Sequence, residues 1–391
     1  MATTTAYRVN EGLAEELARF GGPTLDRCFN CGNCTAVCGL SDGEHAFPRR
    51  VIRYLQLGLE ARLLESTDPW LCYYCGQCSE TCPREAEPGE LMMATRRWLT
   101  SRYDWTGLSR RLYLGARWQV GMLLVVAFAV LLLFVVPPDF GFRLLARHPE
   151  ARATVMLEHF APRDVVHAFD LVLAAVMGFF LLTNAARMAF RVWRGTGLSW
   201  SRLPAALLPL VVHGVTQKRW RDCEGGERKQ WWRHFLLVTG YATLFALVVV
   251  FLPVFQVERG GLAGWHWTAL LGYYGTAVLL ATTLWIARDR WRKHDVIHRF
   301  SHQTDWLFLF LLMATVLSGI LMHTFRMLDW PLATYLTYAT HLVIAVPMLA
   351  VEVPFGKWAH LLYRPLAAGL AAAAERSPAA ARVPEPHPRR A

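Results

Sequence analysis

Several things are scarce in this 391-residue chain. Acidic residues number 30 against 41 Lys and Arg, for a formal net charge of +11. No G-x-G-x-x-G opens a helix after a strand, so no nucleotide or flavin fold is visible. Cysteine is almost confined to one stretch: eight of the nine lie between Cys28 and Cys82, and Cys223, in a basic loop, reads as an ordinary free thiol. No secretory signal precedes them, which speaks against the disulfide framework of a small secreted domain. Charge is missing over long intervals after Trp118, which excludes one ordinary soluble domain and indicates a soluble head on a membrane body. The basic excess then reads as membrane topology and not as affinity for nucleic acid.

What is present is a pattern given twice, Cys28-x2-Cys31-x2-Cys34-x3-Cys38-Gly39 and Cys72-x2-Cys75-x2-Cys78-x3-Cys82-Pro83. Each run suits a cubane 4Fe-4S cluster: three thiolates come from one tight turn and a fourth from elsewhere in space. In two-cluster ferredoxins the fourth cysteine crosses over. The expected sets are therefore Cys28, Cys31, Cys34 and Cys82 for one cluster, and Cys72, Cys75, Cys78 and Cys38 for the other. Gly32 and Gly76 follow the second cysteine of each run, where free backbone dihedrals allow close approach to a cluster. Zinc favours paired C-x2-C units, and a third cysteine at the same interval has no place in such a site.

Residues 1–20 predict a short amphipathic helix with Leu13, Leu17 and Phe20 on one face. A helix beginning at Pro48 is expected to carry Val51, Ile52, Leu55, Leu59, Leu63 and Leu64, and a second helical stretch to run from Gly89 to Trp118. Six uncharged runs follow: 118–138, 171–186 (extended back through Val165), 235–257, 260–287, 306–325 and 330–351. Each is close to the ~20 residues that cross a bilayer. The run 203–217 contains two prolines and reads as interfacial or re-entrant. Segments on the side of the head carry 21 Lys and Arg against 6 in those opposite, so the head is expected on the cytoplasmic face.

Histidines in the spans are candidate axial ligands for b-type haem. His234 opens the third span and His360 follows the sixth, at similar depth. His341 lies 19 residues earlier, roughly 28 Å along a helix at ~1.5 Å per residue, and suits a second haem nearer the outer side. Its partner stays open between His167 and His323. A lone histidine is more often a hydrogen-bonded side chain, but ionisable groups at membrane depth point to function. His294, His298 and His302, spaced by four, fall on one helical face that reads first as a solvated, charged juncture and second as a group that could assist quinone protonation. Arg233, Lys357 and Arg364 are candidates to pair with haem propionates.

With these motifs in hand, the head resembles the C subunit of heterodisulfide reductase, through the phrases CFNCGNCTAVC, FPRRVIRYLQLGL and CYYCGQCSETCPREAEPGELMMATRRWL. The chain as a whole, including YDWTGLSRRLY, is similar to the membrane subunits of quinone-interacting membrane-bound oxidoreductases. The body from about residue 164 resembles the gamma subunit of respiratory nitrate reductase, a cytochrome b. His341 leading into Pro354-Phe355-Gly356-Lys357-Trp358-Ala359-His360 matches the two haem histidines of that family's last span, whereas the second histidine of its earlier pair is Leu244 here. The resemblance implies electron exchange between menaquinone and cytoplasmic heterodisulfide reductase A-like flavin and iron-sulfur subunits, which serve adenylylsulfate reductase.

The fold class expected is all-α: a helical two-cluster domain (1–100), an interfacial linker (101–117), a six-span cytochrome b bundle (118–365) and a disordered tail (366–391). Two other readings remain at this point, a subunit of a heterodisulfide reductase-like complex acting on thiols, and a haem-free membrane anchor or redox sensor.

Overall fold

The computed structural model describes residues 8–42, 45–198, 201, 203–217, 228–255, 265–293 and 295–375. Cys223 and His294 lie outside them. The described residues are helical, with no strand among them. They divide into two compact units, Met1–Trp105 with Thr183–Gly226 and His360–Ala391, and Thr106–Leu182 with Glu227–Ala359. The head unit thus draws on three stretches of chain, where the sequence suggests the first 100 residues alone.

Inside the head unit, Leu13, Leu17 and Phe20 are fully buried from the helix Leu13–Arg19. That helix is tied to Pro88–Tyr103, whose Arg97 Nε donates to the Phe20 carbonyl at 2.6 Å and whose Arg102 pairs with Glu16 at 2.9 Å. The helix expected from Pro48 is broken. It runs Arg49–Gln56, stops, and resumes as Glu60–Leu64. Gly58 is the cause: its φ is 66°, and a Cβ there would meet the Asn10 carbonyl oxygen at 2.3 Å. The stretch from Gly89 to Trp118 is likewise divided, with Leu108–Leu114 between breaks at Gly107 and Gly115.

The tail expected to be disordered from residue 366 is helical as far as Glu375, within His360–Glu375. Alanine is the best helix former, and it leaves little apolar periodicity to read. Ala367, Ala368, Leu370 and Ala373 are buried in it, and it packs along Leu203–Thr216, a helix of 14 residues. At ~1.5 Å per residue the latter is too short to span a bilayer.

Among the described residues, six helices are long and apolar enough to cross a membrane: Ala116–Val135, Arg163–Thr196, Gln230–Val249, Ala269–Arg292, Gln303–Met327 and Pro331–Glu352. The chain is a multi-pass membrane protein. In the membrane unit the sixth span is the most enclosed, with half of its apolar window buried. Tyr335 and Tyr338 on its early turns join Phe134 and Phe160 in one apolar core, while Met348 later in the span joins Leu279, Phe308 and Trp358 in another. Buried Glu352 at its end is held by Gln119 at 2.6 Å and by the Lys357 backbone N–H at 3.0 Å.

Candidate functional site

The two cysteine runs adopt the same local structure. Asn30 and Tyr74, between the first and second cysteines, both have positive φ (58° and 56°), and their N–H groups point at Cys28 Sγ (3.4 Å) and Cys72 Sγ (3.3 Å). Gly32 and Gly76 take φ of 98° and 89° and start the one-turn helices Asn33–Ala36 and Gln77–Glu80, which present the third cysteines. At these glycines a side chain would strain the turn, and an amide aimed at sulfur favours the thiolate. Asn33 Nδ2 donates to the Thr81 carbonyl at 3.1 Å, which ties one run to the other.

Burial pushes the thiols of Cys28, Cys34, Cys75 and Cys78 up and that of Cys38 to about 11, and neighbouring thiolates push further. Cys82 acts on Cys28 and Cys34, whereas Cys38 is acted on by Cys72 and Cys75 and itself acts on Cys78. Sulfurs this close disfavour ionisation unless a cation sits among them, and bound iron reverses that preference. Among the described residues, the donor groups drawn within 4.8 Å are His148 with Glu150 and His159, and Asp289 with Asp295 and His298; the cysteines form none.

Two guanidinium groups lie beside the second run. Arg96 donates to the carbonyls of Pro69 (2.6 Å), Trp70 (3.2 Å) and Cys72, and Arg364 donates to those of Trp70 (3.2 Å) and Cys72 (3.3 Å). Burial and then Arg364 bring Arg96 down to about 9. Of the three cations expected near haem propionates, Arg364 is thus engaged with cluster-turn carbonyls, Arg233 with Asp289 at 2.8 Å, and Lys357 with Asp305 at 2.5 Å.

In the membrane unit His341 and His323 line one cavity of about 330 Å³, with Tyr241, Leu244, Tyr273, Arg326 and Tyr338. His341 Nδ1 is 3.0 Å from Ser318 Oγ, and the Ser318 hydroxyl donates to the Thr315 carbonyl at 3.0 Å. When the Ser318 proton goes to Thr315, His341 Nδ1 is the donor to Ser318 Oγ and the Nε2 lone pair is left for a ligand. This is the second-sphere contact that a metal-bound imidazole usually makes. His323 Nε2 is 2.7 Å from Tyr273 OH. His167 does not line the cavity, and its Nδ1 is buried without a hydrogen-bond partner. His266, not singled out from sequence, does line it, with Nδ1 2.9 Å from Thr268 Oγ1. It falls inside the uncharged run 260–287 but ahead of the helix that begins at Ala269, so nothing in the sequence set it apart from a polar residue of a connection.

His234 belongs to the membrane unit and His360 to the head unit. Of the helical face expected from His294, His298 and His302, His294 lies outside the described residues, and His298 and His302 do not share a helix. The fourth span ends at Arg292, with Lys293 left-handed, and His298 sits in a separate turn while His302 caps Gln303–Met327. Both ring nitrogens of His298 are buried without hydrogen bonds, and burial with the charge of Arg290 and Arg233 lowers it to about 4, so it is neutral at pH 7.

Residues 24–86 match the family described as 4Fe-4S dicluster domain. The same region is similar to a protein of Archaeoglobus profundus described as like the C subunit of heterodisulfide reductase, 37% identical over 26% of this chain and 55% of that protein. It is also similar to the C2 subunit of the H2/formate:CoB-CoM heterodisulfide,ferredoxin reductase of Methanococcus maripaludis, 32% identical over 23% of this chain and 53% of the relative. The chain therefore spans about half the length of these relatives. No solved structure matches. The head defines an iron-sulfur electron-transfer protein. It is related to the C subunit of heterodisulfide reductase and is carried here on a multi-pass membrane chain.

Proposed function

We propose that this chain exchanges electrons between the menaquinone pool and cytoplasmic heterodisulfide reductase A-like flavin and iron-sulfur subunits, linked in turn to adenylylsulfate reductase. The observation that carries the reading is the pairing, in one chain, of two cysteine runs with a membrane cavity lined by histidines, among them His341, whose Nδ1 lies 3.0 Å from Ser318 Oγ. The thiol sets are proposed as Cys28, Cys31, Cys34 and Cys82, and Cys72, Cys75, Cys78 and Cys38, on the crossed pattern of two-cluster ferredoxins; the influence of Cys82 on Cys28 and Cys34, and of Cys72 and Cys75 on Cys38, supports it, while Cys34 also acts on Cys38 and Cys78.

The donor set fits a b-type haem. His341 would be one axial ligand, with His323 or His266 as the other, while Ser318 keeps the proton at Nδ1 and fixes the ring. A haem bound there would supply a one-electron carrier at membrane depth. Within the cavity Tyr273 holds His323 by its ring nitrogen, and most of the lining side chains are apolar. His234 and His360 are proposed as further haem ligands from their places at span ends and from the Pro354–His360 motif. A cytoplasmic head is supported by the 21-to-6 excess of Lys and Arg on its side.

Reduced-minus-oxidised spectra of the purified chain test the reading. A b-type spectrum together with two 4Fe-4S signals is expected, and clusters without any haem would leave the chain a membrane-anchored ferredoxin.

A further inference from the structure

Another set of metal-ligating side chains lies apart from the cysteines and the cavity, on the connection between the first and second spans. His148 follows the helix Gly141–Arg147, Glu150 lies in the turn Pro149–Arg152, and His159 closes the turn Leu157–His159. One donor atom from each lies within 4.8 Å of the other two. His148 Nδ1 is 2.9 Å from Glu150 Oε1, and the two imidazole centroids are 4.2 Å apart. His159 Nδ1 is buried and has no hydrogen-bond partner. An unpaired buried nitrogen is costly, and this one belongs to an imidazole that joins two further residues of the right kind.

The backbone that carries them is fixed. Tyr335 donates its hydroxyl proton to the Ala151 carbonyl at 3.0 Å and accepts the Met156 N–H at 2.9 Å. Asp329 accepts the Val155 N–H at 2.7 Å and the Thr154 hydroxyl at 2.9 Å. Ala151, Val155, Leu157 and Phe160 are buried in the core of the membrane unit. The neighbouring acid, Glu158, is occupied by the Arg163 N–H at 3.1 Å and is not one of the donors. A site on such a support is held in place before any ion arrives.

We infer that His148, Glu150 and His159 bind a divalent transition cation, with zinc the best match and one position left to water. Two imidazoles and a carboxylate are a set that zinc uses. They do not suit magnesium or calcium, which take oxygen ligands. Ligands around a tetrahedral zinc stand ~3.3 Å apart, so small side-chain rotations close the present group onto an ion. The ion ties the residue after one short helix to a residue four positions ahead of the second span, and pins the connection.

The test uses the full-length, cluster-loaded chain in detergent, freed of loose metal and titrated with Zn(II) alone, beside Glu150→Gln, His148→Asn and His159→Gln. Glu150 is exposed, so the first variant leaves the fold intact. The wild type is expected to take up one equivalent more than each variant, with affinity in the variants at least ~10-fold lower, since even outer-sphere partners of a metal site cost that much. Zn(II) should raise the thermal midpoint of the wild type and not that of Glu150→Gln. Equal uptake by the wild type and all three variants, or an equal thermal shift, overturns the inference.

Discussion

The eight cysteines of the head occupy two copies of one short backbone pattern, whereas the histidines of the membrane unit come from spans and connections far apart in sequence. In the head, spacing alone decides what converges: a left-handed residue after the first cysteine and a left-handed glycine after the second deliver three sulfurs from one turn. In the membrane unit, convergence depends on which faces of long apolar helices meet. His341 and His323 share a cavity while His167 does not, although His167 and His323 are comparable partners for His341 from position in a span. Local chemistry is thus written in the interval between residues, and membrane chemistry in helix packing.

The largest effects should break the head one cluster at a time. Cys78→Ser is expected to abolish the signal of one cluster and Cys82→Ser to perturb the other, as read by electron paramagnetic resonance on single variants. If both variants alter the same signal, the crossed assignment is wrong. In the membrane unit, Gln119→Leu removes the partner of buried Glu352 and should cost ~1–3 kcal/mol of stability, visible as a lower thermal midpoint in detergent. An unchanged midpoint would mean that Glu352 is satisfied without it.

How far each region is legible from sequence follows from the same contrast. The cluster runs, the six spans and the overall helical class could all be read, because each rests on a short interval or on composition. Three features could not. The break at Gly58 depends on Asn10, 48 positions earlier, whose N–H donates to the Gly58 carbonyl at 2.9 Å. The alanine helix ending at Glu375 has too little apolar period to announce itself. The part taken by residues 183–226 and 360–391 in the head unit rests on contacts such as Trp70 against Tyr363 at 5.0 Å and Arg187 Nε on the Tyr103 carbonyl at 2.8 Å. No local pattern encodes these.

Smaller effects sharpen the comparison. Ser318→Ala frees the His341 ring without removing it, and should weaken haem retention by ~10–100-fold, measured by haem content after dilution. Unaltered haem content would show that Ser318 does not set the ring. Arg364→Gln removes one of two positive charges beside the Cys72 turn. An interaction of ~0.5–1 kcal/mol corresponds to a fall of about 20–40 mV in the one-electron potential of that cluster, with the other unmoved. Equal shifts in both clusters would contradict a local charge effect.

The central claim, that the membrane histidines join the quinone pool to the clusters, is tested most directly by anaerobic reduction of the full-length chain with a menaquinol analogue. Haem absorbance and cluster resonance are followed in the same sample of wild type and His341→Ala. The account predicts that quinol reduces haem and clusters in the wild type, and that His341→Ala loses haem and quinol-driven cluster reduction while dithionite still reduces both clusters. Full haem content and normal quinol-driven reduction in His341→Ala would contradict it.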